Sequence, residues 1–528
     1  MRTPNPRIRV SRFACASVLL LLIPWPAIRA RGQTAPSPAQ PDSASASDLA
    51  AKVDRLERQL ETTQHELEEY RGEVNTLRHQ VDAMSAQHEA PRSAEQAEDA
   101  SALRQAVADL REEQSVQQSE IAVHEQAKVE TLSRYNLKIG GLVLFNTFQN
   151  IGSVDNIEVP TLAIPRAAGT SHGSSGASLR QSLITLDATG PQFWGAHTYA
   201  NVQMDFFGDL STADYTSTAG SVRMRAASVL TEWPNWRVHA GLERLLISQG
   251  SPTSYATVGE PAMSWSGNLW AWVPQITAEK LWNVTDSHQF SLEAALVDVP
   301  DPSPGANPYE RAASAGEASR WPGSEARIGH SWGRDHTSRL GAGGYFSPHD
   351  YGKYGNVDAW AAAGDWNVAL PARLFFSGNA YKGQALGGLG GGAFKDVIYP
   401  YNYGQSDAQA ASKYARPYAE AAPAAIRYAG LRDAGGWAQV KFKPASRFEL
   451  NAAFGLDDAS AAQLRLAAFL QPNQYTGLVR NQTFLTNAIF RPRASILLSV
   501  EYRKLRSWQI DSTANDASTV GLAAGYEF

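Results

Sequence analysis

A chain of 528 residues with 47 basic and 52 acidic side chains carries a formal charge of −5, too small to argue for nucleic acid as a partner. Mean hydropathy is −0.32, and beyond the N-terminus no apolar run reaches 18 residues, which excludes α-helical membrane spans. A membrane barrel stays open, because its inward and outward positions alternate and average out.

Arg2, Arg7, Arg9 and Arg12 precede an apolar run from Phe13 to Ile28, the pattern of a secretory signal peptide over residues 1–32. Cys15, the only cysteine, opens that run instead of following it, which argues against a lipid anchor. An exported chain without further cysteine has no disulfides. Residues 33–48 are rich in Pro, Ser and Ala and read as a flexible linker.

From Leu49 a heptad repeat takes over. Val53, Leu60, Leu67, Val74 and Val81 fall at a positions, and Leu49, Leu56, Tyr70, Leu77 and Met84 at d. Residues 49–84 would make a rod of roughly 54 Å at 1.5 Å per residue. A weaker continuation through Leu103, Val107, Leu110 and Ile121 extends the predicted coiled coil over 49–130. A coiled coil implies self-association, and the a and d residues leave dimer against trimer open.

After Tyr135 the period changes from helical to two, over 135–528. Sixteen strands are predicted, at 135–148, 178–189, 196–206, 221–232, 236–248, 273–282, 288–298, 324–333, 337–347, 355–366, 371–382, 435–444, 446–456, 481–490, 494–506 and 517–528. Short turns such as GPQFWG, WPNW, Pro444-Ala445 and Arg491-Pro492-Arg493 alternate with loops past twenty residues at 149–177, 249–272, 299–323, 383–434 and 457–480. That asymmetry predicts a mainly β fold, an antiparallel transmembrane β-barrel with periplasmic turns, preceded by the helical coiled coil. An even strand count returns both ends to the periplasm, where the coiled coil would lie.

The final strand is the clearest. Val520, Leu522, Ala524, Tyr526 and Phe528 alternate with small or polar neighbours, and the terminal aromatic resembles the signal read by the barrel-assembly machinery. By the same alternation Ile496, Leu498, Val500 and Tyr502 face lipid while Ser499, Glu501 and Arg503 face the lumen. Charge on the lipid face costs about 2–4 kcal/mol at mid-membrane, so Arg223, Arg225, Arg327, Lys441, Lys443 and Arg503 are expected to line the pore. Facing them are Asp187, Asp205, Glu243, Glu279, Glu293 and Glu501. Arg223 and Arg225 either attract anions or pair with Asp205 or Asp187 across neighbouring strands. Trp194, Trp233, Trp236 and Trp437 are expected in an aromatic girdle at the strand ends. The stretch GGLGGG at 387–392 lacks the spacing of a phosphate loop and reads as a flexible or tightly packed surface loop. No catalytic constellation, metal set or cofactor motif emerges, so an enzyme is not expected.

Three stretches are familiar. LRQSLITLDATGPQFWGAHTYANVQMDFFG at 179–208, VRMRAASVLTEWPNWRVHAGLERLLIS at 222–248 and GNLWAWVPQI at 267–276 resemble DcaP-like trimeric porins, relatives of the phosphate-selective porins. The resemblance covers most of 49–528 through short, mostly structural motifs. It implies a homotrimer of sixteen-stranded barrels in the outer membrane of a Gram-negative-type cell. Each would be narrowed by an inward-folded loop, here 249–272, and pass small anions such as dicarboxylates. A basic lumen underlies that preference in the family, whereas the lumen set here is mixed in sign. The leading expectation is a passive porin. The alternative is a tether joining the membrane to peptidoglycan through the coiled coil.

Overall fold

The computed structural model describes residues 136–208, 220–299, 313–398, 427–465 and 477–528. The signal peptide, the linker and the coiled coil at 49–130 lie outside the described residues.

Sixteen antiparallel strands follow one another around a closed ring. They are β1 (Leu137–Ile151), β2 (Gly173–Ser178 and Leu183–Thr189), β3 (His197–Asp205), β4 (Arg223–Trp233), β5 (Trp236–Arg244), β6 (Trp272–Thr285), β7 (His288–Val297) and β8 (Gly323–Trp332). The second half comprises β9 (Ser338–Asp350), β10 (Asn356–Leu370), β11 (Leu374–Gln384), β12 (Arg432–Ala445), β13 (Phe448–Ala459), β14 (Leu478–Arg493), β15 (Ile496–Gln509) and β16 (Ala514–Glu527). Each strand pairs with its sequence neighbours, and β1 pairs with β16 from Leu142↔Glu527 to Ile151↔Ser518. Phe528 extends that seam, exchanging backbone hydrogen bonds of 3.0 and 3.1 Å with Gly141. Every predicted strand is present, with ends displaced by a few residues.

The faces follow the period of two. Ile496, Leu498, Val500, Val520, Leu522 and Tyr526 are exposed on the outer surface, as are Phe290, Leu292, Leu296 and Ile328. A continuous apolar belt of this kind is stable only in contact with lipid. Their neighbours Glu293, Arg327, Ser499, Glu501 and Arg503 are buried inside.

The second strand departs from the expectation. Both of its segments pair with β1, but Leu179–Ser182 bulges between them. The Leu144 N–H donates to Ser182 Oγ at 3.0 Å and the Ser182 N–H to the Leu179 carbonyl at 3.0 Å. The bulge turns Gln181, fully buried, toward the barrel axis.

Trp437 corrects a second expectation. Trp194, Trp233 and Trp236 stand at the short-turn rim, where the Trp233 indole donates to the Trp194 carbonyl at 3.1 Å. Trp437 instead lies in mid-strand, 4% exposed, packed with Ala262, Met263, Ala453 and Leu485 inside the barrel. Val440 and Phe442 are exposed outward on the same strand, and the alternation forces Trp437 inward.

Candidate functional site

The loop at 245–271, here L3, folds into the barrel, and side chains from the wall hold its backbone. Gln181 on the β2 bulge accepts from the N–H groups of Val258 and Gly259 at 2.6 and 2.9 Å and donates to the Ala256 carbonyl at 3.1 Å. Asn146 on β1 donates to the Tyr255 carbonyl at 2.6 Å, and Asn487 on β14 to the Thr253 carbonyl at 2.7 Å. On the far wall the Thr253 N–H donates to Gln439 at 2.6 Å, and Asn379 donates to the Ile247 carbonyl at 3.0 Å. An amide gripping a buried backbone group satisfies what would otherwise be an expensive orphan. Where L3 passes β12 and β13 the approach is so close that a Cβ at Gly267 (φ +96°) would lie 2.1 Å from the Gly436 carbonyl oxygen. Glycine is required there.

A second segment meets L3 from the opposite side. Residues 387–394 carry the GGLGGG stretch and are tightly packed, but inside the barrel and not at its surface. Asp433 on β12 accepts from the Gly392 N–H at 2.7 Å, and Asp457 on β13 from the Ala393 N–H at 2.8 Å. The Trp270 N–H donates to the Leu389 carbonyl at 3.1 Å. The Trp265 ring stacks on Phe394 at 3.8 Å between centroids. Lys395 donates to the Ala393 carbonyl at 2.6 Å and the Leu478 carbonyl at 3.0 Å, and burial lowers its pKa to about 7 against the pull of Asp457 and Asp433.

The expected lumen charges all sit on the inner face, but they are not equally available. Arg223 grips Asp205 with two hydrogen bonds of 3.1 and 2.6 Å and donates to the Gly259 carbonyl at 2.6 Å. Arg225 lies 3.9 Å from the same carboxylate and donates to the Val258 carbonyl. Both arginines thus meet Asp205 of the neighbouring strand and hold the L3 backbone. Asp187 is bonded instead by Asn201 at 2.5 Å. Arg503 pairs with Glu501 at 2.6 Å and donates to Thr257 of L3 at 3.2 Å. Arg327 contacts Glu293 on β7 and grips Asp365 on β10 at 2.9 and 2.8 Å. It reaches Asp365 by crossing β9 above Gly341, where a Cβ would lie 2.2 Å from Arg327 Nη2. Lys441 and Lys443 share Glu449, at 3.1 and 3.8 Å, and both keep solvent contact.

Between L3 and the short-turn end the interior holds polar cavities. One of about 460 Å³ is lined by Glu243, Arg244, Gln275, Glu279 and Arg327. Another, of about 260 Å³, is lined by Thr253, Asp365, Ser377, Gln439 and Lys441. Arg339 lines both. Sequence reasoning missed it, although Leu340, exposed outward beside it, was enough to turn residue 339 inward.

No family model and no curated protein matches this chain. Solved structures do. The outer membrane channel DcaP of Acinetobacter baumannii aligns with 76% of this chain and all of its own, at 16% identity and a TM-score of 0.54. An anion-selective porin from Comamonas acidovorans aligns with 75% of this chain and all of its own, at 10% identity and a TM-score of 0.45. OmpT of Vibrio cholerae aligns with 76% of this chain and all of its own, at 9% identity and a TM-score of 0.42. The chain thus shares the fold of the DcaP channel.

Proposed function

We propose that this protein is an outer-membrane porin, a passive diffusion channel for small hydrophilic solutes including anions such as dicarboxylates. The observation that carries the reading is L3, laid across a closed barrel by hydrogen bonds from opposite walls, with polar cavities beside it. Selectivity in such a channel comes from its width and from the charges at its narrowest point, and needs no chemistry from the protein. Arg223, Arg225, Arg327, Lys441, Arg503 and Asp205 belong to the charged wall in this reading. Lys441 and Arg223 keep the most exposure among the basic members, with side chains 23% and 29% accessible. DcaP, whose fold the chain shares, is an outer membrane channel. The assembly that fits is a homotrimer in the outer membrane, exported through the signal peptide and inserted by the barrel-assembly machinery, with its coiled coil in the periplasm.

Purified full-length protein added to a planar bilayer should give stepwise conductance, and liposomes containing it should swell in small neutral and anionic solutes. A folded barrel that gives neither would leave the tether to peptidoglycan, suggested by the heptads at 49–84, as the better account.

A further inference from the structure

The apolar belt of the outer wall ends, at the long-loop rim of β12 to β16, in a group of charges that point outward. Asp457, Asn481, Leu505 and Ser507 are buried inside, so alternation turns their neighbours Asp458, Arg480, Lys504 and Arg506 to the outer surface. Arg480, Lys504 and Arg506 are exposed there, as is Arg432 on β12. The register sets them side by side, with Asp458 opposite Arg480, Arg480 opposite Trp508, and Arg506 opposite Asp516. From Phe490 to Arg480 the strand climbs about 25 Å, at roughly 3.3 Å per residue and a tilt of about 40°. That is the height of the apolar band of an outer-membrane barrel, so these charges stand at headgroup level.

They differ from the charges of the lumen, where the side chains of Arg327 and Asp365 are each only 7% accessible. Arg480 grips Asp458 through two hydrogen bonds of 2.9 and 2.8 Å, yet these side chains are 46% and 37% accessible. Arg506 comes no nearer than 3.8 Å to Asp516, and both are about half accessible. Exposed pairs of this kind hold weakly, so an incoming anion can displace the carboxylates. Lys504 has no carboxylate partner among the described residues. Arg480 and Arg506 both lie against Trp508, 5.8 and 5.1 Å from its ring centroid. Guanidinium forks and an ammonium bind phosphate oxygens, and an indole at a membrane interface offers an apolar face beside a polar one. Together they match a phosphorylated sugar.

We propose that Arg480, Lys504 and Arg506, with Trp508, form an outward-facing site for the phosphorylated sugar headgroup of a glycolipid in the outer leaflet. The inference rests on the outer-membrane reading above, which puts the long loops and this rim on the cell's exterior. Asp458 and Asp516 compete with the lipid phosphate for the arginines and so limit how tightly it is held.

For the test, full-length protein refolded in a nonionic detergent is titrated with diphosphoryl lipid A, with the same lipid stripped of its phosphates, and with phosphatidylglycerol. EDTA is present so that divalent ions form no bridges, and bound lipid is counted by native mass spectrometry. Diphosphoryl lipid A should bind about tenfold more tightly than the stripped lipid, more tightly than phosphatidylglycerol, and less tightly as salt rises. Arg480→Gln together with Arg506→Gln should weaken it about tenfold. Lys280→Gln, beside the Trp236 ring at the opposite rim, should leave it unchanged. Asp458→Asn together with Asp516→Asn should tighten it. Equal affinity for the stripped lipid or for phosphatidylglycerol, native affinity in the double arginine variant, or the same loss in Lys280→Gln overturns the proposal. If the double arginine variant does not fold, the asparagine pair decides alone, and unchanged or lowered affinity in it overturns the proposal. Planar-bilayer conductance is recorded on the same protein. A conducting barrel that does not prefer diphosphoryl lipid A removes this inference alone, whereas a protein that binds the lipid and gives no current removes the channel reading and keeps the site.

Discussion

The two faces of the barrel wall obey different rules. On the outside, Leu498, Val500 and Leu522 are exposed, apolar and without specific partners, so any apolar residue of similar size would serve. On the inside, most charges are tied to particular neighbours, as Arg327 is to Glu293 and Asp365, or Arg223 to Asp205 and L3. The lipid face asks only for composition, whereas the inner face depends on identity. Substitutions should therefore be tolerated outside by class and inside hardly at all.

The strongest test of that contrast is Asp365→Ala. It strips Arg327 of its two-bond partner, and breaking a buried ion pair costs about 3–5 kcal/mol. The urea midpoint of refolded barrel should fall more than for any apolar swap outside, such as Leu522→Val. Next comes the outer face itself. Val500→Arg should cost about 2–4 kcal/mol and lower the yield of folded barrel, while Val500→Leu should leave it unchanged. Replacing Arg223 and Arg225 together by Gln removes two charged hydrogen bonds to L3, each worth roughly 1.5–3 kcal/mol. Open-channel noise should rise as L3 loosens. Trp265→Ala deletes the stack on Phe394, worth about 0.5–1.5 kcal/mol, and should speed proteolysis in L3 without unfolding the barrel.

The smallest effect is on pH. Burial raises the Glu260 carboxyl of L3 from 4.5 to about 7, with Asp155 adding to the rise and Arg223 opposing it. The folded form then holds its proton through a window in which the unfolded form has lost it. Stability of the L3 packing is accordingly full below pH about 4.5 and declines as pH rises to about 7. Channel noise should be lower at pH 5 than at pH 8, and Glu260→Gln should flatten that dependence.

The wall was legible in the sequence because a single rule, alternation, governs it from 135 to 528. The same rule placed Arg223, Arg225, Arg327, Lys441, Arg503 and Asp205 on the inner face. What it could not give was who meets whom. Asp365 lies two strands from Arg327, and only the missing side chain at Gly341 lets them touch. The break in β2 was hidden because Leu179 to Ser182 keep strand-like character while the bulge serves Gln181. Trp437 was misplaced because the predicted strand began at 435, whereas β12 begins at Arg432 and leaves the ring in mid-strand. L3 was expected from resemblance, whereas the inward packing of 387–394 depends on Asp433 and Asp457, far along the chain.

The pairing of β1 with β16 has a consequence for assembly. Every other strand pair joins sequence neighbours, even where a long segment intervenes as between Gln384 and Arg432, so the pairing of first strand with last has by far the highest sequence separation in the ring. Loop closure costs only about 0.6 kcal/mol per doubling of length, so the equilibrium cost of that seam is modest. The burden is kinetic. Until they meet, β1 and β16 each present an unpaired edge, the kind of template that recruits other chains. The mutual bonds between Gly141 and Phe528 extend that seam beyond the last strand. A nascent barrel must therefore be kept from foreign partners until that seam has formed.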